Sequence, residues 1–156
     1  MVIEVSRRIT RWVKNENPAV RSSEERFTAL LALQISNYFP IIIALVLGFV
    51  SGKAIETIIG AVSVVSIRIM TGGGHFKNLD HCFIFSTIIL ATIPHISLNN
   101  ELIFALTSAS IVLVLTRSEQ RKLFPIIIIV LNFFFVSSAA ALAFIVQGIS
   151  LTIKGR

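Results

Sequence analysis

The sequence predicts an all-α, polytopic integral membrane protein, with about five to six membrane helices and an N-terminal amphipathic helix lying at the interface. Three observations carry this expectation. Of the 156 residues, 54% are hydrophobic and the mean hydropathy is +0.85, more apolar surface than a soluble domain of this size could hide. The apolar residues fall into long runs separated by short polar stretches. Six of the fourteen Lys and Arg residues lie in the first 26 positions, an asymmetry that belongs to membrane-surface electrostatics and orientation. A single domain over 1–156 is expected at this length. The net charge of +6 does not indicate a nucleic-acid partner, because no compact basic face with interleaved aromatic residues is present. The lone cysteine, Cys82, excludes an internal disulfide framework.

Residues 2–14 place Val5, Ile9, Trp12 and Val13 at helical spacing, with Arg7, Arg8, Arg11 and Lys14 largely elsewhere on the wheel. This is the pattern of an interfacial helix with Trp12 at headgroup level. It is not the pattern of a signal peptide, because the basic residues are not followed at once by an apolar core and no small-residue cleavage site appears. Asn15 to Pro18 breaks the helix, and Ser22 followed by Glu25 has the capping-box spacing that opens the next one.

The first span is expected over 27–50. Pro40 should kink it, and Gln34 and Asn37 should mark a face turned towards protein. Gly48 and Gly52 have the spacing of a small-residue packing contact. The second span, 54–69, is short for a hydrocarbon core of about 30 Å. A third covers 82–94 and ends at Pro94, and a fourth covers 101–116. Residues 124–147 read as the last, with Asn132 and the run Ser137 to Ala141 as a close-packing face. The positive-inside rule puts the N-terminus, residues 68–81 and residues 117–122 on the cytoplasmic side. Five spans would then leave the C-terminal Lys154 and Arg156 outside. Either 124–152 contains a break and a return, or the N-terminal helix inserts more deeply.

One polar stretch, residues 68–82 (RIMTGGGHFKNLDHC), interrupts this pattern. It holds Cys82, the only aspartate (Asp80), two of the three histidines (His75 and His81) and the glycines Gly72, Gly73 and Gly74. Ionisable groups close to membrane spans usually line a cavity or do chemistry. A catalytic cysteine attacks as thiolate, so it needs a base or a local positive potential. His75 precedes Cys82 by seven residues. On a continuous helix the two would be about 10.5 Å apart along the axis, too far for a hydrogen bond. Three glycines disfavour a continuous helix and let the chain fold His75 back over a helix start carrying Cys82, where the dipole also favours an anion.

His81 competes for the role of base, but helical neighbours point about 100° apart. Otherwise it is a polar interfacial residue. His95 is most simply a solvated turn residue across the membrane. Asp80 or Asn78 could orient the imidazole, and glycine amides could stabilise an oxyanion. Arg68 could do likewise, pair with Asp80, or serve as a snorkelling anchor. A metal site at His75, His81 and Cys82 lacks any supporting HExxH or CxxC pattern, and neither a metal nor a cofactor is expected.

The same residues resemble the signature of the accessory gene regulator B (AgrB) family, membrane peptidases that process bacterial quorum-sensing propeptides. That signature is an arginine, a Gly-Gly-x-His element and a cysteine seven residues beyond the histidine. It is matched here by Arg68, Gly72, Gly73, His75 and Cys82. Phe76 departs from it, standing where a small residue is more usual, and bears on the shape of the substrate groove.

The resemblance implies a cysteine endopeptidase of the bacterial cell membrane, acting on an AgrD-like propeptide and forming a homodimer. Cys82 would attack the bond preceding an acidic C-terminal tail, and a thiol or hydroxyl of the same peptide would then take the acyl group to give a thiolactone or lactone. Lys77, Arg117, Arg121 and Lys122, on the side assigned to the tail, are the candidates to attract it. Two other classes stay open: a small transporter or channel with the polar stretch as its gate, and a scaffold or sensor component that cleaves nothing.

Overall fold

The computed structural model describes residues 1–17, 21–72, 78–118 and 122–152, and the described residues form helices without strands. The first helix, α1 (Val2–Glu16), has two faces. Val2, Ser6 and Thr10 recur every four residues and are buried, whereas Ile3, Val5, Ile9 and Trp12 are exposed. Small side chains therefore let α1 lie close against its neighbour while its large apolar groups point away, as an interfacial helix requires. Its neighbour is α2 (Glu24–Val50), and Arg11 Nε donates to Glu24 Oε1 at 2.8 Å between them.

Helix α2 is opened by Ser23, whose side chain accepts from the Arg26 amide, rather than by Ser22 with Glu25. The sequence pattern was one residue out of register because two adjacent serines offer the same chemistry. The helix runs from Glu24 to Val50 with Pro40 inside it. Its packed stripe is Thr28, Ala32, Ser36, Pro40, Ala44 and Gly48, again at four-residue spacing. Gln34 and Asn37, expected on that face, are exposed. Small residues define the contact because van der Waals approach, not polarity, is what membrane helices gain from packing.

At the end of α2 the Lys53 amide bonds to Gly48 O (2.7 Å) and the Gly52 amide to Phe49 O (3.2 Å). This is a Schellman turn, with Gly52 at φ +70°. The two glycines therefore do different jobs. A Cβ on Gly48 would collide with Thr57 of α3 (Ala54–Thr71), while one on Gly52 would meet nothing within 4 Å.

Helix α4 (Leu79–Thr92) continues into a 3-10 turn at Ile93–His95, where Pro94 ends the run as expected. Helix α5 (Asn100–Arg117) is capped by Asn99, which accepts from the Leu102 amide at 3.0 Å. The expected fifth span is not one helix. It divides into α6 (Leu123–Phe135) and α7 (Ser138–Ser150) at Val136, which lies in the left-handed region (φ 48°, ψ 47°). Asn132 makes the break tenable. Its Nδ2 donates to Thr107 Oγ1 (3.1 Å) and Ser137 O (3.2 Å), and its Oδ1 accepts from the Ser137 amide (3.0 Å). Ser137 Oγ then caps α7 through the Ala140 amide.

Two sets of contacts fix the direction of α7. Near its start, Ser138 Oγ accepts from the Leu98 amide (3.1 Å) and Ala139 packs with Ile93. Near its end, Gln147 Nε2 donates to Gly72 O (2.8 Å) and Gly148 sits against Leu113. α7 thus returns to the end of the bundle where α6 began, and Ile67, Val114, Ile129, Ala140 and Phe144 form the core between α3, α5, α6 and α7. Ala139, Ala140, Ala141 and Ala143 are buried, giving the close approach read from the small-residue run. The result is an all-helical membrane protein in which α2, α3 and α5 are individually long and apolar enough to cross a bilayer and α4, α6 and α7 are shorter.

Candidate active site

Helix α3 ends at Gly72, whose φ of 72° and ψ of −150° fall in a region essentially reserved for glycine. The Gly72 amide still completes the helix by bonding Arg68 O at 2.9 Å, while its carbonyl leaves the helical path. That carbonyl accepts from Gln147 Nε2 at 2.8 Å and from Thr71 Oγ1 at 3.2 Å. Gly73, His75 and Lys77 lie outside the described residues.

The chain resumes at Asn78, which caps α4 by accepting from the Asp80 amide at 2.9 Å. Cys82 is the fourth residue of that helix, and its amide reaches Asn78 O at 3.3 Å. Its side chain is 4% exposed, whereas the adjacent His81 is exposed. The two therefore face different environments, as their offset on the helix demands.

Asp80 is engaged elsewhere. Its carboxylate takes the Met1 ammonium (2.7 Å, Oδ2) and the Val2 amide (2.7 Å, Oδ1), so it caps α1 and ties that helix to the first turn of α4. Both residues considered for orienting an imidazole, Asn78 and Asp80, thus carry helix-capping bonds.

Cys82 lies in the wall of a cavity of about 410 Å³ that Arg68 and Gly72 also line. The rest of its lining is mostly apolar, with Val65, Phe85 and Ile89 among it, and Ser36, Asn37, Ser86, Gln147 and Ser150 as the polar exceptions. Pro40 is in the wall too. Having no N–H, it withdraws the donor that a helix would otherwise direct at the Ser36 carbonyl. Meanwhile Ser36 Oγ donates to Leu79 O at 3.3 Å, holding α2 to the start of α4.

Of the residues singled out in the sequence, the structure brings Cys82, Arg68 and Gly72 to one cavity. Lys122 Nζ donates to Leu115 O at 2.8 Å, across the connection between α5 and α6, and Arg117 is exposed at the end of α5. Arg121 lies outside the described residues. Gln147 was missed. The available signal was its position as a lone amide in an otherwise apolar or small-residue run.

No curated protein and no solved structure matches the chain. The family model of accessory gene regulator B matches residues 6–153. That range is nearly the whole chain and contains every residue of the cavity, so this protein belongs to the accessory gene regulator B family and, through it, to the agr quorum-sensing system.

Proposed function

We propose that the protein is a membrane-embedded cysteine endopeptidase that removes the C-terminal tail of an AgrD-like propeptide and cyclises what remains. The observation that carries this reading is the placement of the only thiol. Cys82 is nearly buried, stands in the first turns of a helix, and shares an apolar cavity with Arg68 and Gly72. A helix start offers positive potential to an anionic sulfur, and a mostly apolar wall keeps water from a reactive acyl group.

In this reading His75 takes the proton from Cys82 Sγ as the sulfur attacks the carbonyl carbon preceding the acidic tail. The C–N bond breaks, and His75 returns the proton to the leaving amine. The signal segment is left as a thioester on Cys82. A thiol or hydroxyl of the same peptide then attacks that thioester, giving its proton to His75; the C–S bond to Cys82 breaks as the thiolactone or lactone closes, and His75 passes the proton back to Cys82 Sγ. Thioester exchange is nearly balanced, and an acceptor within the same peptide has a high effective molarity. Arg68 and the amide of Gly73 are the proposed stabilisers of the oxyanion, the Gly72 amide being bonded to Arg68 O. Lys77, Arg117, Arg121 and Lys122 are proposed to attract the acidic tail.

The working unit is proposed to be a homodimer of one domain, residues 1–156, in the bacterial cell membrane, with the N-terminus and catalytic segment cytoplasmic. Cleavage of a propeptide by protein in membranes tests the reading. Cys82→Ala and His75→Ala should each abolish tail release while the protein remains inserted, and His81→Ala should retain most activity. Cleavage by Cys82→Ala at the native rate would overturn it.

A further inference from the structure

Helix α7 is built from alanine, phenylalanine, isoleucine and other apolar or small residues, yet carries Gln147 at 2% exposure. An amide placed in such surroundings costs free energy unless its hydrogen bonds are made. Gln147 makes one that reaches across 75 positions of sequence, to the carbonyl of Gly72. That carbonyl sits where the backbone leaves α3 in a glycine-only conformation, three residues before His75. Gln147 also lines the cavity that contains Cys82.

The helix that presents this amide is itself held tightly. Gly148 lies so close to Leu113 that an added Cβ would stand 2.9 Å from its Cδ1, and Ala140 and Phe144 belong to the core with Ile67 of α3. The donor is therefore delivered from a packed helix rather than from a loop.

We propose that Gln147 is a positioning residue of the peptidase: by holding the Gly72 carbonyl it fixes the end of α3, three residues in sequence before the proposed base, in the wall of the cavity that contains Cys82. This rests on the peptidase reading and adds to it a residue from the far end of the chain. A side chain acting this way affects the chemical step more than substrate binding. It also affects how readily Cys82 gives up its proton.

Three variants of the full chain in membranes test the proposal: Gln147→Met, which keeps the length but has no donor, Gln147→Glu, and Cys82→Ala as reference. Propeptide cleavage is measured as kcat and KM. Because Cys82 is the only cysteine, its alkylation by a maleimide can be followed against pH without ambiguity. Gln147→Met should lower kcat at least tenfold with KM within about twofold, and should move the alkylation profile to higher pH. In Gln147→Glu a protonated carboxyl can donate to the Gly72 carbonyl and a carboxylate cannot. Its cleavage rate relative to Gln147→Met should therefore rise as pH falls.

Native kcat and an unmoved alkylation profile in Gln147→Met would overturn the proposal. A raised KM with unchanged kcat would also overturn it, since that makes Gln147 a substrate contact. If Gln147→Met does not insert, Gln147→Asn, which keeps an amide one methylene too short to reach, is judged by the same two readouts. Native cleavage by Cys82→Ala would instead remove the peptidase reading, and the alkylation profile of the Gln147 variants would still decide whether the amide controls the thiol.

Discussion

Two glycines with nearly the same φ separate local strain from strain that matters to a site. Gly52 (φ +70°) closes the turn between α2 and α3, and Gly72 (φ +72°) ends α3 beside Cys82. An L side chain at either position costs on the order of 1–3 kcal/mol. Gly52→Ala should lower thermal stability and leave propeptide cleavage at the native rate per folded molecule. Gly72→Ala should cost a similar amount of stability and cut cleavage at least tenfold, because relaxing the strain turns the carbonyl held by Gln147. Equal cleavage rates in the two variants would show that the end of α3 does not position the catalytic groups. The sequence singled out the glycine run and Cys82, because glycines, histidines and a lone thiol in one polar stretch are conspicuous in an apolar chain; of these, Gly72 and Cys82 share one cavity, and Gly73, Gly74 and His75 lie outside the described residues. It could not reveal that Asp80 would cap α1 or that Gln147 would reach Gly72. Those pairings span 78 and 75 positions and exist only once the helices are packed.

At the scale of elements, α1 to α5 were legible from the runs themselves, whereas the division of the last apolar run was legible only as one of two ways to reconcile the C-terminal charges. Runs bounded by Asn, Ser, Lys or Pro disclose helix ends because those residues cap or terminate. Residues 124–147 contain no glycine and no internal proline beyond Pro125, so hydropathy joins what the fold divides. The break instead depends on Asn132, which satisfies both the amide and the carbonyl of Ser137, and on a valine held in the left-handed region. The two residues should respond oppositely. Asn132→Leu strands a buried Thr107 hydroxyl and both polar groups of Ser137, and should destabilise by several kcal/mol at roughly 1–3 kcal/mol per unsatisfied group. Val136→Gly removes the left-handed penalty, about 1–2 kcal/mol, and should be neutral or stabilising. Thermal unfolding in detergent measures both. A melting temperature lowered by Val136→Gly and unchanged in Asn132→Leu would mean that the break is not held as described.

The division of that run decides the layout of the whole molecule. α6 and α7 contain 13 residues each, so at 1.5 Å per residue each is about 20 Å long against a hydrocarbon core of about 30 Å. They pack as a pair against the longer α3 and α5, with the turn at Val136 near Leu98 and the end of α7 at Gly72. The start of the chain is held at the same end, through Asp80. Among the described Lys and Arg residues, only Lys53 then lies at the opposite end, beside the turn that joins α2 to α3. This is the one-sided arrangement that the positive-inside rule favours, without the conflict that five spans created. Single cysteines placed in the Cys82→Ala background test it with a membrane-impermeant maleimide: Lys14→Cys and Thr152→Cys should be labelled from one side, and Ser97→Cys from the other. Had residues 124–147 crossed once, Thr152→Cys would be labelled together with Ser97→Cys. That outcome would also separate Gln147 from Gly72, because one continuous crossing would carry the end of α7 to the far face. The labelling pattern therefore checks the return of α7 independently of any enzymatic activity.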